Sequence, residues 1–170
     1  MRDGDRPGDG DRPGNGGGPG NGGGPFEAAT GDGPPLPPGA AARRAAEVRT
    51  AFEGLRQIRA VLGTEGPAAW ERERPLQAVP LALEAAGLAP SAVDPSTDRR
   101  TATGYRATPG EAPGRVRVEW AGPPGGGAPA DEADRLAACA EALTGLGWQA
   151  LLYRGPRGRR FLEVEPPRPT

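Results

Sequence analysis

Histidine and lysine are absent from this chain of 170 residues, and cysteine occurs once, at Cys139. Without imidazole there is no His general base, no Ser-His or Cys-His nucleophile pair and no imidazole metal ligand. A lone cysteine excludes an intramolecular disulfide and a thiolate metal cage. This fits a reducing compartment and leads to the expectation of a cytoplasmic protein. Long hydrophobic runs are missing too. No stretch approaches the roughly 18 apolar residues of a spanning helix, and Met1 is followed by Arg-Asp-Gly-Asp rather than an apolar export core, so no membrane partner is expected. Aromatic residues make up only 5%, and neither sign of charge prevails: 21 basic groups, all arginine, stand against 22 acidic ones for a net charge of −1. Residues 101–170 hold 9 basic and 8 acidic groups, so even this part lacks the basic footprint of a duplex nucleic-acid binder.

Glycine and proline are what the chain has in excess, 29 and 22 residues crowded into the first forty positions and a few linkers. Asp3 to Gly8 and Asp9 to Gly14 both read DGDRPG, Asn15 to Gly20 reads NGGGPG, and Asn21 to Pro25 begins a fourth copy. A six-residue period without Gly at every third place is not collagen. No apolar side chain occurs between Met1 and Phe26 to offset the entropy of ordering. Residues 1–39 are therefore expected to form a disordered Gly/Pro-rich tail, acting as a spacer or arising as an expanded coding repeat. Residues 167–170 read as a disordered end.

Order is expected from about Ala40, in a helical segment over residues 40–88. Val48, Phe52, Leu55, Ile58 and Leu62 recur at three- and four-residue spacing, one stripe of a helix that Gly63 ends. Pro67 to Glu73 suits a short helix bearing Trp70, and Pro80 suits the first position of another carrying Leu81, Leu83 and Leu88. Residues 89–101, with Pro90 and Pro95, read as a linker.

The fold class follows from residues 102–166. Tyr105 and Ala107, then Val116, Val118 and Trp120, alternate with charged residues and predict two antiparallel strands. A helix follows from about Asp131, its proposed cap, to Thr144, with Leu136, Cys139, Ala140 and Leu143 facing inward. A last hairpin runs from Trp148 to Glu165. A type I turn at Pro156-Arg157 with Gly158 left-handed would pair Arg154 with Arg160 and Leu152 with Leu162. One face then carries Trp148, Ala150, Leu152, Leu162 and Val164, the other Leu151, Tyr153 and Phe161. The expectation is α+β: a four-stranded antiparallel sheet in a ββαββ unit, preceded by helices. So thin a core calls for those helices, or a second copy, to dock on the sheet.

Catalytic patterns are lacking, and the chain is expected not to be an enzyme. Cys139 belongs to an apolar helix face, as a core thiol does. The Gly125-Gly126-Gly127 run lacks a following Gly-Lys-Ser/Thr, and Asp131, Glu132 and Asp134 are ordinary first-turn acids rather than a metal set. No metal or cofactor is expected. The candidate interface is the second sheet face, with Leu151, Tyr153, Phe161, Arg106 and Arg117. It would meet a protein partner, a second copy in a homodimer, or the chain's own helix through Phe52, Leu55 and Ile58. The alternative is single-stranded nucleic acid or another anionic ligand, stacked on the aromatics and held by arginines. Arg154, Arg157, Arg159 and Arg160 at the hairpin tip are the candidate anion contacts. The near-neutral charge disfavours nucleic acid.

Overall fold

The computed structural model describes residues 26–169. The repeat segment 1–25 and Thr170 lie outside the described residues, and so does most of the expected tail. Helix α1, Ala41–Leu62, is built from Ala, Arg, Glu and Leu and ends where Gly63 turns left-handed at φ 65°, its N–H reaching the Ala60 and Arg59 carbonyls. Val48, Leu55 and Arg59 are its buried residues. Ile58 and Leu62, expected on the buried stripe, are exposed because the helix turns Arg59 inward instead. The Arg59 guanidinium donates to both carboxylate oxygens of Glu71, at 2.8 and 2.6 Å, and to the Leu146 carbonyl at 2.6 Å. Glu71 also accepts the Ala68 N–H, which starts the five-residue helix α2, Ala69–Glu73.

Helix α3, Pro75–Ala85, begins at Pro75 and holds Pro80 in its interior rather than at its start. Either proline fits a first helical position, but starting at Pro75 gives the longer buried face, Ala78, Val79 and Leu81 to Leu83. Within the expected linker, Ala92–Asp94 (β1) and Arg99–Ala102 (β2) pair as a small antiparallel ribbon.

The main sheet joins β3 (Gly104–Pro109), β4 (Val116–Ala121), β5 (Gln149–Arg154) and β6 (Arg160–Glu165) in the antiparallel order β3-β4-β6-β5. Helix α4, Ala128–Thr144, lies between the hairpins in the sequence, so the ββαββ unit and the α+β class are as the alternation predicts. It starts three residues before Asp131, with Gly127 left-handed at the N-cap position. Tyr105, Val116, Val118, Trp120, Leu162 and Val164 of the sheet pack with Val79 and Leu83 of α3 and Leu136, Cys139 and Leu143 of α4. Helices α3 and α4 thus share the inner face. Val48 and Leu55 of α1 pack on Leu81 of α3, on its far side. The layers are sheet, two helices, then α1, so that among the described residues no helix covers the sheet's outer face.

Ordered structure reaches back to Phe26, fourteen residues before the expected start at Ala40. Residues 26–33 form a strap across the β3 end of the molecule. Phe26 packs beside Val48 and Leu55, the Tyr105 hydroxyl donates to the Ala29 carbonyl at 2.7 Å, and Ala107 N–H donates to Thr30 at 2.7 Å. Asp32 accepts Arg100 at 2.8 Å and Arg106 at 2.9 Å. Tyr105 N–H also donates to Ala89, and Ser91 N–H to Tyr105. The outer edge of β3 is therefore covered.

Candidate interaction surface

The β5–β6 hairpin has the register expected from its turn: Leu152 opposite Leu162, Tyr153 opposite Phe161, Arg154 opposite Arg160. Gly155 N–H donates to Arg159 at 2.7 Å and closes the loop. The turn itself differs from type I, because Arg157 is left-handed at φ 63° and is followed by Gly158 at φ 73°. A residue with a Cβ at that φ holds strain on the order of 1 kcal/mol.

Alternation then fixes the outer face. Arg106 lies opposite Glu119, and Tyr153 opposite Phe161; one step along, Thr108, Arg117, Glu163 and Leu151 form a second row. All five candidate interface residues, Leu151, Tyr153, Phe161, Arg106 and Arg117, occupy this face. Docking of α1 through Phe52, Leu55 and Ile58 is excluded, because α1 lies behind α3 and its apolar side meets Leu81. Among the described residues nothing covers Leu151 and Tyr153, which are 49% and 44% exposed.

The arginines of this face are engaged within the chain. Arg117 lies 3.7 Å above the Phe161 ring and donates to Glu119 at 3.0 Å. Arg106 pairs with Asp32 and Glu119, and Arg115 with Glu165 at 2.6 Å. The Phe161 ring stacks on Tyr153, with centroids 5.7 Å apart. Carboxylates thus answer each guanidinium, and Phe161 is held between Arg117 and Tyr153. Neither arginine nor ring is disposed for phosphate or a stacked base.

The hairpin-tip arginines do not converge. Arg159 turns to the helix side, donating to the Glu132 carboxylate at 2.7 Å and to the Trp120 carbonyl at 3.1 Å; Glu132 also accepts the Arg160 N–H at 2.7 Å. Glu132 is thereby a buried latch between α4 and the hairpin, while Asp131 and Asp134 stay exposed. Arg154 and Arg157 point away, both exposed. A cavity of about 460 Å³ beside the tip is lined by Arg100, Arg106, Arg159 and Arg160, together with Glu119. Asp32, Glu119 and Glu132 neutralise three of those four arginines.

Two features of the surface escape sequence reasoning. Leu152, assigned to the core, is 56% exposed although its cross-strand partner Leu162 is 1% exposed. Helix α4 lies over Leu162, and on the outermost strand only Ala150 packs against the core. Glu163 is the reverse case, a carboxylate on the open face that is only 8% exposed. Both its oxygens are buried without a hydrogen bond among the described residues. The β3–β4 loop closes over it so tightly that a Cβ at Gly110 would stand 2.7 Å from Glu163 Oε2. A glycine in that loop reads as turn punctuation, which hides this close approach.

Elsewhere the ionisable groups serve structure. Burial pushes the Cys139 thiol up to about 12, and burial likewise raises Tyr105 well above the ordinary phenol range. Neither is poised as a nucleophile or base. Partial burial works to raise Asp32, but the bonds from Arg100 and Arg106 outweigh it and hold the carboxyl below the usual range. Among the described residues no helix is long and apolar enough to cross a membrane. Comparison with known protein families, curated proteins and solved structures finds no match to this chain.

Proposed function

We propose that this chain is a non-catalytic, cytoplasmic protein-binding module whose contact is the β5 edge with the adjoining outer face. One observation carries the proposal: β5 is an edge strand whose outer side has no partner among the described residues, and on it Leu151, Leu152 and Tyr153 are all about half exposed, on both faces of the sheet. Natural edge strands are usually blunted by charge, proline, bulges or a covering segment. Here the β3 edge is covered, whereas β5 carries its only charge at Arg154, at its end. Main-chain groups along such an edge give affinity to an added strand, and the flanking apolar side chains give it selectivity. The paired arginines of the outer face argue for a polar rim around this strip rather than an anion site.

A photoreactive phenylalanine analogue at position 153 tests the reading in cells expressing the full chain. Covalent adducts of discrete mass are expected from that position, and none from an analogue at exposed Glu111 on the β3–β4 loop. Equal labelling from both positions, or none from 153, overturns it.

A further inference from the structure

We infer that the occupant of the β5 edge is a second copy of this chain, paired about a two-fold axis so that two four-stranded sheets become one. The inference rests on β5 being a protein-binding edge and adds the identity of the partner. A two-fold axis normal to the sheet sets β5 antiparallel to itself and keeps like faces on the same side, so residues of the same parity meet. Three registers overlap most of the strand, centred on Leu151, Leu152 or Tyr153. Centring on Leu151 places Tyr153 against Gln149, and centring on Tyr153 places Leu152 against Arg154. Centring on Leu152 sets Leu152 against itself on the inner side and Leu151 against Tyr153, twice, on the outer side. Only this register gives all three exposed apolar side chains an apolar partner. It also extends the Phe161–Tyr153 stack of each copy onto the other copy's Leu151.

Charge agrees with the same register. Arg154 comes opposite Ala150, at the level where Gly145 and Trp148 lead out of α4, so it approaches the negative, carbonyl end of that helix. Arg157 falls at the level of Gly147, which packs against the Glu65 and Gly66 backbone. The exposed Glu65 thus stands near the tip of the opposing hairpin, and no arginine meets an arginine. The half-exposed Leu151, Leu152 and Tyr153 offer roughly 300 Å² of apolar surface per copy. That is well under the roughly 800 Å² per partner of a standard interface, so the pair should be reversible and dissociate in the micromolar range or above.

Sedimentation equilibrium of the purified full chain from about 5 to 500 μM tests this. A monomer–dimer equilibrium is expected. Leu152→Arg, a change at an exposed position that puts like charges on the axis, should shift the dissociation constant at least about tenfold with unchanged circular dichroism. Leu152→Cys reports the register under mild oxidation: cross-strand Cβ separations on the axis suit a disulfide, and buried Cys139 stays silent. A covalent dimer from Leu152→Cys, and none from Gln149→Cys, supports the pairing. A strictly monomeric chain across the range, or a dimer indifferent to Leu152→Arg, overturns it. If the analogue at position 153 then captures a protein of another mass, the edge still binds protein and only the second copy is wrong; if it captures nothing, both fall.

Discussion

Glu163 sits where the loop after β3 closes over the sheet, and among the described residues no donor meets either of its oxygens. Arg117 is its cross-strand neighbour, but that guanidinium is turned to Glu119 and the Phe161 ring. A buried acceptor without a bond forfeits about 1–3 kcal/mol, and an apolar group of the same shape removes the penalty. Glu163→Met should therefore raise stability by about 1–2 kcal/mol. Urea unfolding followed by tryptophan fluorescence measures it, and a loss of stability would show that the carboxylate is satisfied after all. The sequence could not have revealed this. Glu163 and Glu165 alternate along a terminal strand, a pattern common to solvated edges, yet only the second of them finds an arginine, Arg115. Leu152 fails for a related reason: alternation assigns a side chain to a face, but not how far the covering helix extends over that face.

At the scale of elements, α1 shows what periodicity can and cannot fix. Its end was legible, because Gly63 stops the stripe that begins with Val48, Phe52 and Leu55. Its buried side was legible only for the first half. Beyond Leu55 the contact is ionic: Arg59 reaches Glu71 and the Leu146 carbonyl, joining α1 to α2 and to the turn before β5. A sequence with 21 arginines offers no way to single out Arg59 as buried. Removing it strands Glu71, itself 1% exposed, as an uncompensated charge. Arg59→Ala is thus expected to cost about 3–5 kcal/mol. Ile58→Ser, one position earlier and 43% exposed, should change stability by less than about 0.5 kcal/mol. Thermal unfolding of the two variants tests the contrast, and similar losses would refute it. The strands were the most legible elements, since alternation and a Gly-Pro-Arg-Gly turn leave one register. The ribbon of β1 and β2 was not, being three and four residues long between prolines.

For the whole molecule, the strap is the part that composition concealed. Glycine, proline and alanine dominate residues 26–39, yet Phe26, the carbonyls of Ala29 and Thr30, and Asp32 find partners that only the tertiary fold supplies. Asp32 gives it a pH dependence of definite sign. Its folded value lies below the ordinary Asp value of about 3.9, so the contribution is complete above that pH and is lost as the pH falls through the folded value. The difference in melting temperature between the chain and Asp32→Asn should be constant at neutral pH and close below about pH 4. A gap that persists unchanged into acid would show that the Arg100 and Arg106 contacts contribute nothing through ionisation.

The covered edge of β3 also sets how large any assembly built by strand addition can become. A sheet with two open edges offers each newcomer another free edge and so propagates into a filament. Here Thr30 and the Ala89 to Ser91 segment occupy one side, so that joining at β5 would fill the one edge of this sheet left open among the described residues. On the pairing inferred above, growth would halt at a closed pair, and the short N-terminal strap, distant from the contact itself, would be what blocks further addition.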